Sequence, residues 1–174
     1  MEAFPIFAGL PLLIVSREKI PLTCLIYCLL TVHAMILLVG AHYTYAEVPL
    51  GNWAKDYFHF SRNHYDRLGH FMQGLVPALL ARELLLRTSP LKAGKWLFAI
   101  IVLSCLGISA LYELLEWQTA VLKGEAAEAF LGTQGDVWDT QEDMATALFG
   151  AIFGLLAFGG WHDRQLQKAK YLNK

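Results

Sequence analysis

Long apolar stretches alternate with short polar connections along most of this chain. Four stretches contain the roughly 20 mostly apolar residues that a helix needs to cross a bilayer; they occupy residues 20–46, 68–86, 96–117 and 139–161. A fifth apolar run, residues 3–15, is shorter and contains Pro5, Gly9 and Pro11, so it either spans with flanking residues or lies at the interface. The pattern predicts an all-α, polytopic transmembrane bundle with four to five spanning helices, forming one domain over residues 1–174.

The composition supports a membrane protein. The chain is 56% hydrophobic, which exceeds the roughly 45–50% apolar content of soluble domains. Its formal net charge is -1, and the basic residues form no continuous face, which argues against nucleic-acid binding. The lipid bilayer is therefore the expected partner.

Basic residues predict the orientation, because short connections rich in Lys and Arg favour the cytoplasm. They concentrate in three places, with Arg17 and Lys19 in the first, Arg82, Arg87, Lys92 and Lys95 in the second, and Arg164, Lys168, Lys170 and Lys174 in the third. The connection over residues 118–138 is acidic instead, with Glu125, Glu128 and Asp136. With five spans, we expect the N-terminus outside and the C-terminus in the cytoplasm.

Seven ionisable side chains lie at the ends of three apolar segments: Asp66, His70, Glu113, Glu116, Asp136, Asp139 and Asp143. The predicted orientation brings all of them to the non-cytoplasmic ends of their helices. Spacings of three or four residues place both members of a pair on one face of a helix. Ionisable groups at the edge of hydrocarbon are costly and indicate a functional site.

A structural interpretation accounts for some of these residues. Asp66, Asp136 and Asp139 suit the N-terminal ends of helices, where acids are favoured by the helix dipole, and an interior histidine often only forms hydrogen bonds. Glu113 fits less well, because an anion near a helix C-terminus opposes the dipole. It needs a proton, a cation or a metal.

Carboxylates with one imidazole form an oxygen-rich ligand set that favours Mg, Mn, Ca or Fe over thiolate-type zinc. All seven residues are candidate ligands, and the sequence does not decide whether a metal is bound. Without a metal, His70 with Asp66 is a candidate general acid–base pair, in which the carboxylate fixes the tautomer of the imidazole. The candidate catalytic residues are His70, Glu113, Asp139 and Asp143. The neighbouring Arg62, His64 and Arg67 are candidate binding residues for an anionic group, or equally interface anchors.

These features favour a protein that binds or acts on a lipid-linked or anionic envelope substrate. If it is an enzyme, the chemistry favours a membrane-embedded hydrolase or transferase. One alternative is a small proton-coupled transporter, although beyond Gln73 the cytoplasmic halves of the helices show little polar lining. The other is a non-catalytic structural subunit whose polar network fixes helix register. The oligomeric state is left open.

Small residues predict where helices approach closely. Gly69 and Gly74 on the third segment, and Gly150 and Gly154 on the last, suit small-residue packing in membranes. Arg82 and Glu83 are expected at the membrane interface. The aromatic, polar connection over residues 48–65 predicts a short helix at the head-group level.

Three strings carry a family resemblance: GAHYTYAEVP at residues 40–49, RNHYDRLGHF at 62–71 and GTQGDVWDTQEDMA at 132–145. They resemble the YjdF-like predicted inner-membrane proteins of bacteria, over nearly the whole chain from Gly40 onward. The resemblance implies a multi-pass bacterial inner-membrane protein and no defined chemistry. A looser similarity to VanZ-like membrane proteins rests on Asp66-x-x-x-His70 and Asp139-x-x-x-Asp143. Asp143 departs from the Asn common in that pattern, and Thr146 replaces an expected Gly.

Overall fold

The computed structural model of the protein describes residues 3–123 and 133–169, and over these residues the chain is helical without strands. The α-helices are α1 (Phe4–Ser16), α2 (Cys24–Tyr43), α3 (Pro49–Phe58), α4 (Tyr65–Thr88), α5 (Lys95–Lys123) and α6 (Asp139–Lys168). A 3₁₀ turn, Tyr45–Glu47, joins α2 to α3. The all-α prediction is confirmed. Glu125, Glu128, Lys170 and Lys174, which contributed to the predicted orientation, lie outside the described residues.

Among the described helices, α2, α5 and α6 are long and apolar enough to cross a membrane. Helix α4 has 24 residues and is about 36 Å long, but charged residues near both its ends make it less apolar. Helix α1 has 13 residues and reaches about 20 Å, short of the roughly 30 Å of a hydrocarbon core. The fold is that of a polytopic membrane protein, and the spans by α4 and α1 stay predictions.

Helix α4 is the centre of the bundle, packing against α2, α5 and α6. Each of the four helices contributes a fully buried side chain to one core: Ile26, Leu79, Ile101 and Ala151. Large apolar side chains on the outside of the bundle remain exposed, including Leu103 and Leu156. An apolar exterior of this extent is what a lipid-facing surface requires.

Helices α4 and α6 run parallel, with backbones in close contact. A Cβ added at Gly74 would collide with the backbone of Ala147, and one added at Gly150 would collide with the carbonyl of Phe71. At Gly154 it would meet Leu75 at 3.0 Å. The predicted close packing is confirmed for these three glycines, whereas a Cβ at Gly69 would meet the side chain of Tyr45 at 3.3 Å instead. The contact brings the first turns of α4 and α6 together.

The connection that precedes α4 contains the predicted short helix, α3, with exposed aromatic side chains at Trp53 and Tyr57. Behind it, the fully buried Asn63 donates from Nδ2 to the carbonyl oxygens of Ala46 and Val48. Its Oδ1 accepts the N–H of Tyr65, the first residue of α4. These bonds fix the start of α4.

Candidate functional site

Four ionisable side chains from three helices meet at the first turns of α4 and α6. Asp66 and His70 come from α4, Glu113 from α5 and Asp143 from α6; we call them the inner cluster. His70 Nε2 lies 3.6 Å from Asp66 Oδ1, 3.7 Å from Glu113 Oε1 and 3.7 Å from Asp143 Oδ1. These distances exceed those of good hydrogen bonds, about 2.7–3.2 Å. Three carboxylates thus surround one imidazole nitrogen at similar distances without bonding to it.

The inner cluster is largely removed from solvent. His70 is 6% exposed, Glu113 7% and Asp143 2%. Two polar atoms in it, His70 Nδ1 and Glu113 Oε1, are buried without a hydrogen-bond partner. Buried polar atoms in folded proteins are nearly always hydrogen-bonded, so these two call for an explanation.

The prediction for Glu113 was wrong in one respect. Helix α5 continues to Lys123, so Glu113 lies ten residues before the helix end, too far for the terminal dipole to act on it. The cost of an anion there arises from burial instead. The apolar run was predicted to end at residue 117, but α5 extends beyond it, through Gln118 and Thr119, to Lys123.

A second group of side chains, the arginine cluster, borders the inner cluster on the side of the α3–α4 connection. Arg62 Nη1 donates to Asp139 Oδ1 at 2.6 Å and to Asp136 Oδ2 at 3.0 Å. Arg67 donates to Asp139 at 3.0 Å, and also to Asp143 and to Glu142. Both guanidinium groups therefore bind the acidic start of α6.

These pairs bear on the roles expected for the basic residues. Arg62 and Arg67 already bind carboxylates, but Nε and Nη2 of the buried Arg62 have no hydrogen-bond partner. His64 is exposed at the start of α4, and its pKa is lowered by partial desolvation and by the charges of Arg62 and Arg67. Their binding of an anionic group stays a prediction.

Carboxyl groups outnumber guanidinium groups across the two clusters. The carboxyl groups belong to Asp66, Glu113, Glu116, Asp136, Asp139, Glu142 and Asp143, whereas the guanidinium groups are those of Arg62 and Arg67. The arginines lie among the residues of α6, which leaves Asp66 and Glu113 without a guanidinium partner in the described ion pairs. A proton or another cation must offset this excess, because isolated buried carboxylates are unstable.

The pKa of Asp136 is lowered because its carboxylate accepts the backbone N–H of Trp138 and binds Arg62. This group lies in the connection before α6. The residue is therefore ionised at neutral pH and belongs to the arginine cluster. Seven residues were predicted as ligands, six acids and one histidine. Asp136 and Asp139 belong to the arginine cluster, Glu116 lies beside the inner cluster, and the other four form the inner cluster.

A cavity of about 580 Å³ adjoins the inner cluster. The acidic and imidazole groups in its wall are those of Asp66, Glu116, His70 and His33, and further polar groups come from Gln73, Thr44, Tyr45, Tyr112 and Thr119. Most of the wall is apolar, with Phe4 and Pro5 of α1, Leu37 of α2, Pro77 of α4, and Ile108 and Leu115 of α5. The cavity is therefore mainly apolar, and both acids in its wall lie at or beside the inner cluster.

A second buried polar group lies at the opposite ends of α4 and α6, and sequence reasoning missed it. Glu83 and His162 are both 0% exposed, and His162 Nε2 lies 2.9 Å from Glu83 Oε2. Glu83 also accepts the N–H and hydroxyl of Thr23, at 3.0 and 2.7 Å, which places an anion at the start of α2. Arg82 donates to Asp163 at 2.7 Å.

Arg82 and Glu83 are both buried within the bundle, and their expected position at the membrane interface stays a prediction. The expectation of little polar lining in those helix halves was wrong, because Arg82, Glu83 and His162 form a buried polar group there. The partners are about 80 positions apart in sequence, and only the parallel pairing of α4 with α6 brings them together. The available signal was the matching pair of charged ends, Arg82-Glu83 on one helix and His162-Asp163 on the other.

Two further residues were not predicted from the sequence: Glu142, which belongs to the arginine cluster, and Asn63, which holds the connection beside that cluster in place. Glu142 Oε2 accepts from Arg67 at 2.9 Å. Asn63 exchanges backbone hydrogen bonds with the side chain of Gln134, which ties the α3–α4 connection to the segment before α6. The three-residue spacing of Glu142 from Asp139 was a usable signal for Glu142, whereas Asn63 gave none.

The fold and the clusters define a polytopic helical membrane protein with ionisable groups buried near both ends of its bundle. The chain belongs to the family described as predicted membrane protein (DUF2238), whose model matches residues 1–164. It is similar to the inner membrane protein YjdF of Escherichia coli, with 47% identity over 168 residues, covering 97% of this chain and 80% of that relative. No solved structure matches the chain. The predicted family and its inner-membrane location are confirmed, and the likeness to VanZ-like proteins stays a prediction.

Proposed function

We propose that the protein binds a membrane amphiphile of the cell envelope. The hydrocarbon chain of the ligand occupies the cavity, and its head group lies against Asp66, His70 and Glu116. The observation that carries the proposal is the cavity itself, whose largely apolar wall meets the inner cluster. From the distribution of basic residues we place this end of the bundle at the outer leaflet, with the N-terminus outside and the C-terminus in the cytoplasm.

The size and lining of the cavity support an amphiphile. Its volume, about 580 Å³, falls within the roughly 300–1,000 Å³ range of small-molecule pockets. Such pockets combine a mainly apolar wall with a few polar groups that orient the ligand. The helices around the cavity expose apolar side chains outward, which suits the entry of a lipid chain from the bilayer.

Asp66, His70 and Glu116 in the cavity wall favour a head group that donates hydrogen bonds or that carries a bound cation. Carboxylates accept hydrogen bonds, and His70 is able to give or take a proton. A phosphate placed beside Asp66 and Glu116 without a cation would be repelled. If the protein is an enzyme, His70 is the group we expect to move a proton in hydrolysis or transfer at the head group, with Glu113 and Asp143 setting its charge.

Native mass spectrometry of the full chain, released from nanodiscs made with inner-membrane lipid, tests this proposal. Leu37 faces the cavity, whereas its neighbour Leu38 is 49% exposed on the outside of α2. We expect the wild type and Leu38→Trp to retain a bound amphiphile of defined mass, and Leu37→Trp to lose it. Equal retention by both variants, or none in the wild type, contradicts the proposal.

The buried polar group at the other end favours a second candidate, a proton-coupled transporter. Ionisable side chains now lie near both ends of α4, at His70 and Glu83, as a relay across a membrane requires. The tight backbone contact at Gly74 and Gly150 leaves no passage between α4 and α6 in this conformation. A pH-dependent flux in proteoliposomes that Glu113→Gln abolishes would support transport, and its absence would exclude it.

A further inference from the structure

We propose that the inner cluster is a binding site for one divalent cation of the Mn²⁺ or Mg²⁺ class. The ligands are one oxygen from each of Asp66, Glu113 and Asp143, and one nitrogen of His70. Cation binding here goes beyond the proposed function, because it requires no amphiphile in the cavity.

The spacing of the donor atoms suits a shared ion. Asp66, His70 and Asp143 offer one ligand atom each, all within 4.8 Å of one another. Mg²⁺ holds its ligands at about 2.0–2.1 Å, so donor atoms at right angles around it lie about 2.8–3.0 Å apart. The three carboxylate oxygens lie 3.6–3.7 Å from His70 Nε2, so a bound ion would draw the donors together by less than about 1 Å.

Glu113 points to a ligand independently of the other acids. It is 7% exposed, its Oε1 has no hydrogen-bond partner, and that same atom faces His70 Nε2 at 3.7 Å. A buried carboxylate oxygen without a partner costs free energy, and a bound cation would give it one. The carboxylate comes from α5, so the site would join three helices.

A protonated His70 without a metal is the competing explanation. An imidazolium N–H forms one good hydrogen bond at about 2.7–3.2 Å, and here the nearest carboxylate oxygen is 3.6 Å away. A protonated His70 would therefore be expected to lie within hydrogen-bond distance of one carboxylate and farther from the other two. A similar distance to all three acids suits an ion held among them. Arg67, which donates to Asp143 from the outer side, offsets part of the remaining charge.

The donor types restrict the metal. Carboxylate oxygens with one imidazole suit Mn²⁺, Mg²⁺ or Fe²⁺, whereas structural zinc sites usually contain thiolates. The described cysteines do not belong to the cluster, since Cys24 and Cys28 are near the start of α2 and Cys105 is in the apolar core. Mn²⁺ is the practical probe because its free form has a strong electron paramagnetic resonance signal.

The test is a titration of the purified full chain, stripped with EDTA, with MnCl₂, in which the loss of the free-ion resonance measures binding. We expect about one saturable site per chain in the wild type. Glu113→Gln and Asp66→Asn, which keep side-chain size, should weaken binding at least tenfold, the lower end of the effect of altering a metal shell. Asp56→Asn should bind as the wild type does, because Asp56 is exposed on α3 and belongs to neither cluster.

Gel filtration and circular dichroism establish whether each variant is folded. If Glu113→Gln does not fold, Asp66→Asn provides the test, because the Asp66 side chain is 20% exposed and tolerates replacement better. A wild type without saturable Mn²⁺ binding overturns the site in favour of a proton-linked network. Equal Mn²⁺ affinity in a folded Glu113→Gln or Asp66→Asn variant and in the Asp56→Asn control also overturns it. Neither outcome affects the test of the amphiphile, which measures retained lipid.

Discussion

Replacing Gly74 by alanine tests whether α4 and α6 pack backbone against backbone, the contact that holds the inner cluster together. The added Cβ would lie 2.7 Å from the carbonyl carbon of Ala147 and 2.9 Å from the nitrogen of Ala151. Because these are backbone atoms, relief requires the helices to separate. Overpacking costs about 1–3 kcal/mol, and we expect the upper end, about 3 kcal/mol. The better helix propensity of alanine returns about 1 kcal/mol, so the net loss is about 2 kcal/mol.

Gly107 and Gly154 provide the matched comparison. A Cβ at Gly107 meets nothing within 4 Å, so Gly107→Ala should gain up to about 1 kcal/mol from helix propensity. At Gly154 the nearest atom, at 3.0 Å, belongs to the flexible side chain of Leu75, which predicts an intermediate effect. Reversible unfolding in mixed micelles with increasing SDS, followed by circular dichroism, measures all three. If Gly74→Ala were as stable as Gly107→Ala, the close contact of α4 with α6 would be refuted.

Two further predictions concern ionisable groups away from the inner cluster. Glu83→Ala should lower the free energy of unfolding by about 3–5 kcal/mol, as expected on breaking a buried charge pair, because Thr23 and His162 lose their acceptor. SDS titration measures this loss, which should be smaller for Glu83→Gln. A loss below about 1 kcal/mol for Glu83→Ala would contradict the prediction. At Asp136 the pKa is lowered by the N–H of Trp138 and then by Arg62, so its ionised form stabilises the fold above about pH 4, and this contribution disappears as the pH falls through the lowered pKa. The midpoint of unfolding should therefore be lower for Asp136→Asn than for the wild type at pH 7 and converge at acid pH, whereas a constant difference would argue against an electrostatic role.

Much of the fold was predictable because local pattern determines it. The apolar runs gave the helices, with boundaries displaced by a few residues: the run 20–46 became Cys24–Tyr43, and 68–86 became Tyr65–Thr88. Four-residue spacing placed Asp66 and His70 on one face of α4, and small residues predicted the approach of α4 to α6. These signals depend on neighbouring residues or on one helix face.

The rest of the site depends on which helices are adjacent, and the sequence pattern does not contain that information. Arg62 precedes α4 and pairs with Asp139, a partner 77 positions away that no spacing rule connects to it. Glu83 and His162 meet only because α4 and α6 are parallel and in one register. The extension of α5 beyond residue 117 was missed because Gln118 and Thr119 interrupt the apolar run, and it places Glu113 away from the helix end.

Photo-crosslinking inside cells tests the central claim, that an envelope amphiphile occupies the cavity beside the inner cluster. A photoreactive benzophenone amino acid at Leu37, a partly buried residue in the cavity wall, should trap one head-group class, identified by the mass of the adduct. The same group at Leu38, which is 49% exposed on α2, should trap the general phospholipid mixture. The same mixture at both positions, or no lipid adduct at Leu37, would contradict the account.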